Sequence, residues 1–365
     1  MKIFVDCHVF DGNLQGTTTY LKGLYTELIK DKSKTFYLAS SNPENLKTIF
    51  GIHENVIYLS YSNKNKFFRL LFDIPKLIKQ NTIDFAHFQY IVPPIKKCKY
   101  IVTIHDVLFL DYPEYFPLLY RLKNKFLFKL SAQFSDVVLT VSEYSKAQIQ
   151  KHFNSDTITV TRNAVDPAFY ETYNKEEVKT FVKEKFGIEN YFLFVSRWEP
   201  RKNHHNLLKA FVENQFYKNH QLVFVGNHAL QNQTYVDYFN TLDETIKEKI
   251  SSLNNIDFFN LVQITRAASI SIYPSIAEGF GIPPLEAIAS EVPSICSNTS
   301  AMSDFDFIDK NLFNPNDVND IANKITIGLH ETNLSQKKQI VLQKYNWESS
   351  AKEFNTAIES ISSKK

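Results

Sequence analysis

Two stretches of this 365-residue chain hold residue types whose order suits a phosphorylated, hydroxyl-rich ligand. In "SRWEPRKNHHNLLKAF", Arg197 and Lys202 bracket a proline turn that runs into a helical pattern with Leu207, Leu208 and Phe211 on its apolar face. Two cations beside a helix N-terminus, where free amides and the helix dipole also favour negative charge, make a seat for a diphosphate. Arg201 is a third cation whose direction is not legible. In "YPSIAEGFGIPPLE", Glu278 and Glu286 stand with seven residues between them. Gly279 and Gly281, on either side of Phe280, let backbone approach a ligand closely, and Pro283 and Pro284 start a helix. That start puts Glu278 in a strand-end loop and Glu286 in the helix's first turn. A carboxylate accepts from two adjacent hydroxyls at once, the pair that sugars and riboses present. Each such charge-assisted bond contributes about 1.5 to 3 kcal/mol when shielded from water. Taken singly, these residues are also what a solvated basic loop and a helix-dipole carboxylate look like.

The elements that position them follow from apolar patterning. Short β-branched or aromatic runs alternate with helical ones, as in βαβ units around a parallel sheet. The strand candidates are "KIFVDCHVF", "TFYLAS", "VIYLS", "DFAHFQ", "YIVTIHD", "DVVLTVS" and "TITVTRN", enough for a doubly wound domain by about residue 165. After the polar, proline-containing "NAVDPAFYETYNKEEV" a second series begins: "YFLFVS", a helix from about His204, "QLVFVG", a helix through "YVDYFNTLDETIKEKI", then "IDFF", "ASISIYPS", a helix from Pro284, and "VPSICSN". Residues 345–365 read as a terminal helix. The expected domains are 1–168 and 175–347. Ligands of open parallel sheets bind outside the carboxyl ends of the strands, which is where both chemical stretches fall. Neither G-x-G-x-x-G nor a P-loop pattern occurs. "DGNLQGTTTY", after the first strand, offers Gly12 and Gly16 for a tight turn near an anion, or simply for a turn.

Composition narrows the class. Hydrophobic content of 44% and charge of 22% suit a folded, soluble protein with no nucleic-acid partner, and no leader or apolar span is apparent, so a cytosolic location is expected. Cys7, Cys98 and Cys296 are too few and too scattered for a zinc site and read as reduced thiols. "DFD" (304–306) is too short a match to assign a metal. Residues 1–170 carry 21 Lys and Arg against 15 Asp and Glu, so the front half is the basic one. Much of that charge lies in residues 63–79 and 117–130. In the latter, Leu119, Leu122, Phe126 and Leu130 recur at helical spacing beside a ridge of Arg121, Lys125 and Lys129. Two readings stand: a core helix with a solvated face, or peripheral contact with an anionic membrane surface.

With "EGFGIPPLE", the preceding "YPS", "SRWEPRKNH", "TIHD" (103–106), "VSEYSK" (141–146) and "NAVDPAFY" (163–170), the chain resembles the retaining family-4 (group 1) glycosyltransferases over nearly its whole length. The resemblance implies a GT-B fold: α/β, with two Rossmann-like doubly wound domains facing across a cleft. The front domain would bind the acceptor and the rear one the nucleotide-sugar, and helix 348–365 would pack back on the front domain. It also implies that Glu286 holds the ribose and that Arg197 and Lys202 hold the diphosphate. Glu278 with the backbone of Gly279 to Gly281 would hold the sugar, and His105 would lie beside that sugar. Gly16 is where the family commonly has two adjacent glycines; here threonines follow it. Glycine is also usual where Glu291 and Ala164 stand.

The implied activity is metal-independent transfer of a hexose from a nucleotide-diphosphate sugar to a glycan or lipid-linked acceptor, with no separate cofactor. Mannose from a GDP donor, in bacterial surface-polysaccharide (lipopolysaccharide) synthesis, is the specific guess. The location would be the cytoplasm or the inner face of the membrane. The alternatives are a nucleotide-sugar epimerase or phosphorylase, or a noncatalytic sugar-nucleotide-binding partner. Lys202→Ala is expected to fold normally while losing about 10² to 10³ in rate.

Overall fold

A parallel strand covered by helices on both sides must be apolar on both faces, and the Val-, Ile-, Leu- and Phe-rich runs of this chain meet that demand. The computed structural model describes residues 1–12, 16–63, 65–155, 157–227, 229–230 and 232–362, with residue 309 described by its backbone alone. They divide into two compact units, Met1–Ala164 with Asn346–Lys365, and Val165–Tyr345.

In the first unit β1 (Lys2–Asp6), β2 (Thr35–Ser40), β3 (Val56–Ser60), β4 (Phe85–Gln89), β5 (Lys99–Thr103), β6 (Val137–Thr140) and β7 (Ile158–Val160) form a seven-stranded parallel sheet. Its order is β3, β2, β1, β4, β5, β6, β7, so strand order reverses between β1 and β4. The first strand stops at Asp6, short of the expected "KIFVDCHVF". Asp6 is buried and accepts from the Tyr61 hydroxyl at 2.7 Å, and residues His8–Asp11 turn as a 3-10 helix. Of the loop that follows, residues 13–15 lie outside those described; Gly16 opens helix α1 (Gly16–Leu28).

Helix α2 (Leu118–Phe134) overturns the core-helix reading. Its buried residues are Asn124, Phe128, Ser131 and Ala132, an i, i+4, i+7, i+8 stripe that leaves the larger apolar residues outside. Ser131 fits inward because its hydroxyl serves the backbone, accepting from Val92 N at 3.2 Å and donating to Leu127 O at 2.9 Å. Leu119 is 82% exposed, Leu122 58%, Phe126 64% and Leu130 46%.

In the second unit β8 (Tyr191–Val195), β9 (Gln221–Val225), β10 (Ile250–Leu253), β11 (Ile270–Tyr273), β12 (Ser294–Ser297) and β13 (Leu312–Phe313) form a six-stranded parallel sheet in the order β10, β9, β8, β11, β12, β13. Strand β8 leads into α3 (His204–Glu213) and β11 into α4 (Ile282–Ala289). Two expectations fail between β9 and β11. The long helix through 235–250 is two short ones, Gln233–Asn240 and Glu244–Lys247, and Ile250–Leu253 pairs with β9 as a strand. "IDFF" opens a helix, Phe258–Ala267, because the Asp257 side chain caps it by accepting from Asn260 N at 2.9 Å.

The terminal helix α5 (Trp347–Ser362) belongs to the first unit. Ser350 Oγ donates to Arg162 O at 2.6 Å, and the Phe354 ring lies 6.1 Å from Tyr25 and 5.6 Å from His87. At the α1 crossing the Trp347 indole sits so close that a Cβ on Gly23 would fall 1.9 Å from it. Gly23→Ala is therefore expected to destabilise the first unit by about 1 to 3 kcal/mol, the usual penalty for overpacking. Thermal melting would show the loss, and hydrogen exchange would show faster opening of residues 347–362.

Candidate functional site

Strands β8 and β11 are neighbours in the sheet yet far apart in sequence, because the chain runs outward through β9 and β10 before returning. The loops leaving their carboxyl ends meet at this point of reversal, where open α/β sheets bind ligands. The first loop carries Arg197 to Asn203 and the second carries Glu278 to Gly281. They are tied together: Ile276 N donates to Arg201 O at 2.8 Å, and the Asn203 side chain donates through Nδ2 to Pro274 O at 3.2 Å and Pro315 O at 2.7 Å.

Glu278 is the centre of the cluster. Its carboxylate is buried and pairs with Lys202 Nζ through Oε1, accepts from the Tyr273 hydroxyl at 3.0 Å, and meets Arg201 Nη1 at 3.3 Å through Oε2. Its own amide donates to Ser300 Oγ at 2.9 Å. Burial pushes this carboxyl up, but Lys202 and Arg201 together outweigh burial and hold it at about 2. Arg201 reaches on to Glu199 at 2.7 Å, and Glu199 takes Arg197 at 2.9 Å. The result is a row of alternating charge from Arg197 through Glu199, Arg201 and Glu278 to Lys202. Arg197 is its open end, with a side chain 57% exposed.

Glu286 behaves differently. Helix α4 begins at Ile282, two residues earlier than expected, so Glu286 lies beyond the first turn. Helical side chains lean toward the N-terminus, which still aims it at the loop end. Among the described residues it has no ion-pair partner. Burial, and then the Asp166 carboxylate, raise it to about 8. Gly281 caps the helix at φ 89°, and a side chain there would also press on Met302, so the turn needs glycine. Phe280 is buried against Phe305 and Tyr345, a packing contact.

The structure thus brings Lys202 and Glu278 together. Arg197 joins them only through Glu199 and Arg201, and Glu286 stands apart from the ion pairs. Glu199 and Tyr273 were not singled out by sequence reasoning, and Arg201 was legible only as a third cation of unknown direction. The alternation Arg197, Glu199, Arg201 within one loop was the available signal. Normal folding of Lys202→Ala is no longer the expectation: removing one partner of a buried pair leaves an uncompensated charge, at about 3 to 5 kcal/mol. Asp306 of the "DFD" stretch is exposed and pairs with Lys344 at 3.0 Å.

His105 and Gly16 belong to the first unit. His105 follows β5, is buried, and shares a hydrogen with Gln89 Oε1 at 2.7 Å, its ring edge-on to Tyr20 at 4.9 Å. Burial lowers it to about 3, so it is neutral at physiological pH.

Two family descriptions match: Glycosyltransferase Family 4 over residues 14–169 and Glycosyl transferases group 1 over residues 174–347. Together with the two parallel-sheet units and the solved structures below, they establish that the chain belongs to this family of glycosyltransferases and has the GT-B fold. It is 33% identical over 200 residues to the O-antigen chain mannosyltransferase RfbU of Salmonella typhimurium, a match covering 54% of this chain and 51% of that protein. It is 27% identical over 263 residues to the O-antigen chain mannosyltransferase B of Escherichia coli, covering 68% and 67%. The match thus spans about half to two thirds of these relatives' lengths. In fold it is similar to the sucrose-phosphate synthase of Thermosynechococcus elongatus, with a TM-score of 0.76 at 17% identity over 100% and 99% of the two chains. Anabaena HepE, solved with UDP and glucose, superposes with a TM-score of 0.71 at 16% identity over 99% and 100%.

The two glutamates make opposite contributions to stability against pH. Glu278, held below its ordinary 4.5, stabilises the fold above that pH, and this is lost as pH falls toward 2. Glu286, raised to about 8, binds its proton more tightly in the fold than in the unfolded chain, so stability declines as pH rises from 4.5 to 8. Glu286→Gln should therefore melt at least about 2 °C above the natural protein at alkaline pH, the gap closing near pH 4. Glu278→Gln should melt lower at neutral pH, the gap closing in acid. Melting curves across the pH range check both signs.

Proposed function

We propose that this chain moves a hexose, with retention of anomeric configuration, from a nucleoside-diphosphate sugar to a glycan or lipid-linked acceptor in surface-polysaccharide synthesis. GDP-mannose is the first donor to test, a choice supported by the mannosyltransferase names of its relatives. The work is done in the cytoplasm, at the inner face of the membrane where the acceptor is lipid-linked. No helix among the described residues is long and apolar enough to cross a membrane. One observation carries the reading: a row of paired cations and carboxylates occupies the loops that leave adjacent strands where the sheet order reverses, and Glu286, with no ion-pair partner among the described residues, lies in the helix that continues the second loop.

In this reading the diphosphate lies along Arg197 and Lys202, with Lys202 shared between Glu278 and the incoming phosphate. Both cations stabilise negative charge on the departing diphosphate, the kind of preorganised group worth about 10² to 10³ in rate. That role needs no metal. Glu286, a carboxyl without a cation, accepts from the vicinal ribose hydroxyls. Glu278 and the Gly279 to Gly281 backbone hold the sugar. The bond from the anomeric carbon to the phosphate oxygen breaks, and the acceptor oxygen bonds to the same face of the oxocarbenium-like centre. Its proton passes to the leaving phosphate.

Arg197→Ala is the cleanest test, because an exposed ion pair contributes little to folding. Its melting temperature should match the natural protein while kcat falls at least about a hundredfold. A thermal-shift screen of UDP-, GDP-, ADP- and dTDP-sugars would identify the donor, since about a hundredfold excess over Kd adds about 2.7 kcal/mol of stability. Product analysis then decides the reaction class: nucleoside diphosphate released in step with acceptor consumed supports transfer. An isomerised donor would point to an epimerase, phosphate-dependent release to a phosphorylase, and binding without turnover to a noncatalytic partner.

A further inference from the structure

Folded proteins rarely expose many large apolar side chains together without a use for them. Here 11 of the 20 large apolar side chains exposed among the described residues fall on two segments of the first unit: Phe67, Phe68, Leu71 and Phe72, and seven residues of α2. Phe67 is 71% exposed, and Phe68 and Phe72 lie 5.0 Å apart as a pair. The two segments are neighbours. Leu70 and Ile74 of the first share a core cluster with Phe128 and Ala132 of the second, and Lys66 feels the charge of Lys123.

Charge singles out what covers this face. Residues 63–79 and 117–130 contain nine Lys and Arg and one acid, Asp73, which is buried and accepts from Ser62 and Asn63. Among the described residues, Lys66, Lys123 and Lys125 are exposed and in no ion pair. Desolvation lowers the Lys66 pKa and the repulsion of Lys123 and Arg69 lowers it further; the counter-charge that acts on Lys66 is the buried Asp6, which pairs with Arg69 at 3.5 Å. A second copy of this face would set cations against cations. A bilayer with anionic headgroups supplies an apolar interior and a negative surface within one side chain's length of each other.

We propose that this face docks peripherally on an anionic lipid bilayer. Leu119, Leu122, Phe126 and Phe67 enter below the headgroups, and the lysines between them pair with lipid phosphates. The exposed apolar stripe on α2 is then the helix's lipid face, and the stripe through Phe128 and Ala132 is its protein face. The docking involves no step of the transfer reaction, and vesicle binding needs neither donor nor acceptor, so its outcome is independent of the transferase reading.

The test is co-sedimentation of the full chain with phosphatidylcholine vesicles, with and without phosphatidylglycerol, at low and high salt. Binding should require phosphatidylglycerol and weaken with salt. Leu119→Ser/Phe126→Ser should lower the partition coefficient at least about tenfold with an unchanged melting curve, as expected for exposed side chains. Leu122→Ser provides a milder second variant. Lys123→Gln/Lys125→Gln should weaken binding and flatten its salt dependence. Phe259→Ser, at an exposed apolar site of the second unit, should bind as the natural protein does. No sedimentation at low salt would overturn the proposal, as would an equal loss from Phe259→Ser. So would light scattering that shows the natural chain self-associating through this face while Leu119→Ser/Phe126→Ser is monomeric and still binds vesicles.

Discussion

The second unit is organised by one buried carboxylate. Glu278 sits almost out of contact with solvent, where an isolated charge costs several kcal/mol, and it stays ionised because Lys202 and Arg201 face it from another loop. Such a pair is seldom the most stable way to fill the space. What it achieves is geometry. To bring two cations onto one carboxylate, the loops after β8 and β11 must hold a fixed register, and the bonds from Ile276 to Arg201, from Asn203 to Pro274 and from Glu278 to Ser300 hold it. The charged groups are set before any ligand arrives, which is the condition under which electrostatics can lower a reaction barrier.

Glu286 is the counterpart whose interactions are incomplete. Among the described residues it has no ion-pair partner, and burial and the nearby Asp166 carboxylate make its charged form unfavourable. A group of this kind lowers the stability of the protein above the ordinary carboxylate range, and on the function proposed above the ribose hydroxyls of the donor are its partners. The contrast between the two glutamates of one short stretch is therefore one of purpose. Glu278 is satisfied internally and fixes its neighbours, whereas Glu286 has no cation beside it among the described residues. Their identical chemistry and close spacing hide that difference in the sequence; only the neighbours across the sheet reveal it.

What could be read from the sequence divides along the same line. Local patterns were legible: all seven strands of the first sheet, the turn residues around Gly281, and the two charged loops at strand ends. Contacts between distant segments were not. Arg201 was a third cation of unknown direction until Glu199 and Glu278 were seen on either side of it. The strand Ile250–Leu253 was read into a helix because its two serines conceal a β pattern, and its strand character comes from pairing with β9. Glu291, where relatives usually have glycine, takes φ 57° just after α4, a left-handed conformation the side chain tolerates at some strain. The residue type gave no hint of it.

Helix α2 shows why periodicity alone misleads. A stripe at i, i+3, i+4 spacing reports that apolar groups share a face, and it is silent on whether that face meets protein or lipid. Here the smaller, more polar stripe of Asn124, Phe128 and Ser131 faces the core, where the Ser131 hydroxyl finds backbone partners, and the greasier stripe is left outside. On the readings argued above, lysine then serves in two dielectric settings. Buried as Lys202, it is fixed by a carboxylate and can act on a phosphate at a defined point. Exposed as Lys123 and Lys125, it has no partner to give up and meets many phosphates loosely. A protein that must take an anionic donor from water and an acceptor from a membrane needs both, and the burial of each lysine, rather than its identity, assigns the task.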